Sequence, residues 1–444
     1  MENNKLEREI TTSSLVKFAL PTVFTMLYST LFGVVDGIFV ARLIGTNGLS
    51  AVNVVMPLIS IASSLGMMFA AGGSAIVARL IGENKPKEAR QTFSLMVAAT
   101  IISGVIIAIL GIMFIRQILT FLGANEEIYS YCYDYAYYIL LCFPISMLSM
   151  LVRVFLITAG AANFGMVFNI IGGLANVVLD YVFIKYCGMG IAGASIATSI
   201  GFAVTAIAGM AYFIFKRKGV LYLVKPKMDI KALIHSCTNG ASEMITNVSQ
   251  SVTIILFNNV LIRLAGADGV AAMTVLFYAS DIMVTLFVGY CTGIAPIISY
   301  NFGKEEVDRL KKIHRISLKV IGLFALSTFV IAQIVASPLV SVFAPVGTSV
   351  YEMAVHGFRI FVFSFLFSGF SVYASAMFTA YSDGRTSAII SAMRTFVFIV
   401  GMILLLPIVF GLNGVWAVMP IAEMLGAGIS FYFLKKYKNK YQYA

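Results

Sequence analysis

Apolar runs of roughly 20 residues or more recur along the whole chain, the length a helix needs to cross a bilayer. One of them holds "GVVDGIFVARLIG" (residues 33–45), which sets a carboxylate, Asp36, in an otherwise apolar stretch. Apolar residues make up 60% of the 444 and charged residues 11%, against about a quarter charged in a soluble domain. The chain reads as an all-α integral membrane protein. Twelve transmembrane helices are expected, near 15–43, 50–78, 92–115, 130–157, 163–185, 190–215, 232–262, 270–299, 317–340, 352–380, 387–408 and 412–434.

The net charge of +11 could suggest a nucleic-acid partner, but its distribution follows the bilayer. With both termini cytoplasmic, 25 of the 31 Lys and Arg residues fall near inner ends and four (Arg42, Arg116, Lys185, Arg263) near outer ends. Arg153 and Arg359 fall inside spans. That asymmetry is the positive-inside rule. The first 13 residues, "MENNKLEREITTS", are polar and mixed in charge, unlike a cleaved signal peptide. The five cysteines form no CxxC pair and read as packing residues, with no disulfide frame or metal site.

The basic loop "KRKGVLYLVKPKMDIK" (216–231) lies near the middle and divides the chain into residues 1–221, lobe 1, and 222–444, lobe 2. Sliding one half on the other by 221 residues superposes Arg42, Leu43, Gly45 and Gly48 on Arg263, Leu264, Gly266 and Gly269. Gly72, Ile76 and Gly82 fall on Gly293, Ile297 and Gly303. Six spans per lobe is an even number, so the pseudo-symmetric halves run in the same sense. Transporters built on parallel repeats place the substrate between the halves. Three polar groups were not duplicated: Asp36 maps to Phe257, Asn176 to Val397 and Asp180 to Gly401.

Those groups, with Thr198, form the strongest polar signal. Asn176 and Asp180 are four apart on span 5 and share a face. Thr198 lies eight residues into span 6, and Asp36 lies below the outer end of span 1. At 1.5 Å of rise per residue, all four sit within roughly 7–14 Å of the outer boundary. A carboxylate at that depth normally faces protein or water and marks an ion or proton path. Two acids sharing a low-dielectric site tend to hold a proton, or a small cation whose shell Asn and Thr oxygens complete. Glu243 and Gln250 on span 7, Asp281 on span 8 and Glu423 on span 12 are further intramembrane polar groups, candidates for substrate or a second polar site.

The twelve spans in two lobes, Pro21 fifteen residues before Asp36, "NVVLDYVFI" in span 5, "GMGIAGASIAT" opening span 6 and "GIAPIISYNFG" closing span 8 together resemble one family. It is the multidrug and toxic compound extrusion (MATE) transporters, and the last motif resembles its bacterial MepA-like subgroup. The resemblance covers essentially the whole chain. It implies a V-shaped, monomeric exporter in a bacterial or archaeal plasma membrane, surrounded by lipid and free of cofactors. Such proteins exchange inward H⁺ or Na⁺ for outward movement of organic, often cationic and amphiphilic, compounds. The cation-coupling site carried over is Asp36, Asn176, Asp180 and Thr198, with Na⁺ as the only metal it would take, and Pro21 as the helix bend. Gln250 stands where some relatives place a span 7 glutamate. Ser29 and Phe32, two turns and one turn before Asp36, stand where some relatives are more polar.

Other functions fit less well. No GxxxxGK[ST] loop is present for ATP-driven transport. A flippase of lipid-linked sugars would need a cationic cavity for pyrophosphate, whereas the intramembrane charges are mainly acidic. An enzyme would need a nucleophile–base pair or metal ligands, and the three histidines (His235, His314, His356) lack such spacing. A receptor without transport is disfavoured by the repeat.

Overall fold

The structure is a computed structural model that describes residues 5–44, 46–217 and 219–443. The side chains at 5, 34–42, 46 and 49 lie outside the described residues, and Asp36 is among them.

Every regular element described is helical. Among the described residues, nine helices are long and apolar enough to cross a membrane, or ten when a bent pair is joined as one span. Two of these are too long for one crossing. Ile230–Gly303 has 74 residues, about 110 Å of helix against a hydrocarbon core of about 30 Å. It is broken at Gly266 and the Gly384–Tyr441 segment at Gly411, each with a positive φ that a side chain would resist. Dividing both gives the twelve spans expected. Span 4 is the bent pair, Tyr129–Leu141 and Phe143–Thr158, turning by 54°. Pro144 opens its second piece, and a proline there removes a backbone donor and frees the helix to bend.

The chain packs as two compact units. Unit 1 holds Phe24–Gly240 and the residues before Glu9; unit 2 holds Glu9–Val23 and everything from Ala241. The mid-chain loop that divides the sequence is therefore not where the packing divides. Within unit 1, the start of span 7 lies against span 2: a Cβ on Gly72 would overlap the Ser236 carbonyl, and one on Gly240 would overlap that of Met68. Asn239 Nδ2 also donates to the Gly72 carbonyl. Within unit 2, the start of span 1 lies against span 8 in the same way, Ala19 on Gly293 and Val23 on Gly289. Gly72 and Gly293 are the glycines that the 221-residue repeat superposes. Their missing side chains let helix backbones approach closely. Pro21 sits two residues before span 1 changes units, in a helix continuous from Thr12 to Leu43.

Unit 2 has a dense aromatic core of Phe257, Phe358, Phe361, Phe365 and Trp416. Large apolar side chains such as Ile102, Ile106 and Ile109 on span 3 are left exposed, as a lipid-facing surface requires.

Candidate functional site

Spans 5 and 6 form an antiparallel hairpin, Ala162–Tyr186 and Gly190–Phe215. Its register repeats every four residues of span 5. Thr205 Oγ1 donates to the Phe168 carbonyl at 3.4 Å. Gly172 and Gly201 face each other with no room for a Cβ on either. One turn further out, Asn176 Nδ2 donates to Thr198 Oγ1 at 3.3 Å. Asp180 comes one turn beyond that and is fully buried. The small residues at the crossing bring the helices near enough for Asn176 and Thr198 to meet.

Asn176 Oδ1 is buried and has no hydrogen-bond partner among the described residues. A buried acceptor left unsatisfied costs about 1–3 kcal/mol, so this oxygen retains its full capacity to accept. The structure thus brings Asn176 and Thr198 together and stacks Asp180 on the same face. Asp36 belongs to the helix Thr12–Leu43, and its side chain lies outside the described residues.

Span 1 reaches this hairpin through Tyr28 and Ser29. Tyr28 Oη donates to the Ile170 carbonyl at 3.2 Å, and its ring sits where Gly173 leaves space. Ser29 Oγ shares its proton between the Thr25 carbonyl at 2.9 Å and Asn169 Oδ1 at 3.2 Å. Phe32 stacks on Tyr28 with ring centres 5.8 Å apart. Tyr28 and Ser29 therefore dock span 1 on span 5, and Phe32 packs on the Tyr28 ring from within span 1.

The polar residues of lobe 2 are arranged differently. Glu423 accepts from Arg394 Nε with both carboxylate oxygens, at 2.8 and 3.1 Å, and the pair is buried. Gly426, one turn along span 12, leaves space for the Arg394 methylenes. Arg394, expected as an inner-end cation, instead turns into the protein from seven residues inside 387–408. Glu243 is half-buried and within electrostatic reach of Arg394. Gln250 and Asp281 are exposed. Between spans 10 and 11 runs a hydroxyl network that the sequence reading missed. Ser375 Oγ meets Ser387 Oγ at 2.8 Å and Ser391 Oγ at 2.9 Å, and Thr379 Oγ1 donates to Ser387 Oγ at 2.8 Å. Elsewhere, Arg153 of span 4 buries its Nε with no hydrogen-bond partner among the described residues. His314 Nδ1 meets Tyr373 Oη at 3.0 Å and His356 Nε2 meets Asn413 Oδ1 at 2.8 Å, in separate surroundings.

A twelve-span helical chain with a repeated six-span plan and buried polar groups inside its spans has the architecture of a secondary transporter. The MatE family model matches residues 21–182 and 243–426. The chain belongs to that family, whose members are transporters and not enzymes. It is 24% identical over 425 residues to the multidrug export protein MepA of Staphylococcus saprophyticus, covering 95% of this chain and 93% of that one. It is also 24% identical over 418 residues to MepA of Staphylococcus aureus, covering 93% and 91%. Among solved structures, a MATE protein in its straight conformation matches with a TM-score of 0.93 at 23% identity, over 100% of both chains. An outward-facing multidrug resistance MATE transporter matches with a TM-score of 0.92 at 23% identity, over 100% of this chain and 99% of that one.

Proposed function

We propose that this protein is a multidrug efflux antiporter that exchanges inward H⁺ or Na⁺ for outward movement of organic, often cationic, compounds. Its cation-coupling site is Asp36, Asn176, Asp180 and Thr198. Family membership and the MepA relatives support the export of small molecules. The coupling site is supported chiefly by the buried, unpartnered Asn176 Oδ1, bonded through its amide to Thr198 and one turn from buried Asp180. A proton on a carboxyl, or a small cation, supplies what that oxygen lacks.

Substrate cation and coupling ion compete for the same negative charge, so each lowers affinity for the other by one shared factor, the linkage that exchange requires. Span 1 is docked on the site helix through Tyr28 and Ser29. Neutralising the site therefore acts on the helix that carries Pro21, where the missing N–H weakens the ladder. The protein works in the plasma membrane with both termini in the cytoplasm.

The test is efflux of a fluorescent organic cation from proteoliposomes under an imposed pH gradient, then under an imposed Na⁺ gradient. One gradient drives wild-type efflux, and Asp180→Asn and Asp36→Asn lose it. Gradient-driven efflux at the wild-type rate in either variant, at equal reconstitution, overturns that residue's coupling role.

A further inference from the structure

Span 8 of unit 2 has one face with two characters. Its inner half is covered, with Gly289 and Gly293 seating Val23 and Ala19 of span 1. Outward along the same side, Thr285, Asp281, Tyr278 and Thr274 follow at spacings of four, three and four, the repeat of a single helix face. Asp281, Tyr278 and Thr274 are exposed there. The Asp281 carboxylate has no hydrogen bond or ion pair among the described residues, while Thr285 turns its hydroxyl back to the Asp281 carbonyl. An ionisable group at this depth is costly against lipid and is found facing water or protein. The open half of this face therefore meets water.

Tyr278 is held beside the acid. Its ring stacks on Phe343 with centres 6.1 Å apart and planes 15° from parallel, and both rings stay partly open. A fixed aromatic pair next to an unpaired carboxylate is the chemistry that recognises a soft organic cation, with Coulomb attraction from one side and ring quadrupoles from the other. Lobe 1 has no equivalent, since the repeat sets Asp281 on Ser60 and Tyr278 on Pro57.

We propose that this face binds the charged centre of a lipophilic monovalent organic cation, with Asp281 as its counter-ion and the Tyr278–Phe343 stack as its aromatic floor. The site rests on the export reading for its place in transport, but its occupancy is measured independently. It belongs to lobe 2 and selects the organic cation before that cation competes with the coupling ion at the exchange site, so it contributes substrate selection rather than ion coupling.

The experiment is equilibrium binding of tetraphenylphosphonium to the purified full-length protein, with neutral triphenylphosphine oxide as control. Asp281→Asn weakens phosphonium binding by about tenfold, the scale of one charge contact, and leaves the neutral probe unchanged. Asp281→Glu restores binding, and Tyr278→Leu weakens it by a smaller factor. Phosphonium binding of wild-type strength in Asp281→Asn overturns the proposal, as does equal loss of both probes. In the wild type, bound tetraphenylphosphonium protects Asp281 from carbodiimide modification read by mass spectrometry. Absence of protection overturns the proposal without any variant. Asp180→Asn separates the two readings: it loses gradient-driven efflux but retains phosphonium binding that depends on Asp281.

Discussion

The two closing hairpins, spans 5–6 and spans 11–12, are one design with two contents. Both turn at a glycine with positive φ, Gly190 at 56° and Gly411 at 55°, 221 residues apart. Both carry a π-helical turn in their first helix, Val182–Tyr186 just beyond Asp180 and Met393–Val397 around Arg394. A π turn inserts a residue, rotates the side chains beyond it and is frequent at functional sites. The interiors then part. In lobe 1 an acceptor is left open beside a buried acid; in lobe 2 the arginine and the glutamate satisfy each other. A charge paired inside the protein serves architecture, and an unsatisfied acceptor such as Asn176 Oδ1 is available to a ligand. The difference between the lobes is thus which polar group has been left without an internal partner.

The sharpest way to break this comparison is to unpair lobe 2. Arg394→Met strands Glu423 as a buried charge and destabilises the protein by about 3–5 kcal/mol. Removing both charges in Arg394→Met/Glu423→Leu recovers most of that. Thermal unfolding in detergent reads both, and a double variant no better than the single would refute an architectural pair. Next is the Gly172–Gly201 crossing. Gly172→Leu overpacks it, costs about 1–3 kcal/mol, and separates Asn176 from Thr198, so gradient-driven efflux falls further than stability does. The repeat-related positions are Met393 and Ala422, where Ala422→Gly leaves efflux near wild type. Efflux surviving in Gly172→Leu would detach the crossing from the site.

Thr198→Val is milder. It removes the partner of Asn176 Nδ2 at about 0.5–1.5 kcal/mol and shifts the pH or Na⁺ dependence of efflux; an unchanged dependence would count against its place in the site. The smallest effect is at the inner rim of lobe 2. Burial pushes the Asp383 carboxyl up, but hydrogen bonds from Tyr441 and Thr386 and the charge of Lys440 outweigh it and hold it below its ordinary value. A depressed carboxylate contributes stability that is present above the unfolded value, near 4, and lost as pH falls through the folded value. Asp383→Asn therefore lowers the melting temperature slightly at neutral pH and has less effect in acid. Equal effects at both pH values would discount the carboxylate.

Much of this was readable beforehand. Helix lengths follow from apolar runs, and the repeat from glycines whose register backbone contact enforces; the inner turns at Asn84 and Glu305, again 221 apart, both adopt a left-handed conformation. Asn176 and Thr198 could be paired by depth alone, because helix rise converts sequence distance into height. Arg394 could not be placed, because an arginine near a span end looks the same whether it reaches inward to an acid or outward to phosphate. Nor could the transfer of half-spans between units, since glycine contacts such as Ala19 on Gly293 join residues remote in sequence.

That transfer has a consequence for biosynthesis. Residues 9–23 leave the ribosome ahead of Phe24–Gly240, yet they belong to the unit whose other members are made after that stretch. The seat of Ala19 does not exist until span 8 has been inserted, so the inner half of span 1 waits through the synthesis of the whole first lobe with its partner absent. Fragments cut at 221/222 would each carry a stave of the other's barrel and lack one of their own. They should assemble only when made together in the same membrane.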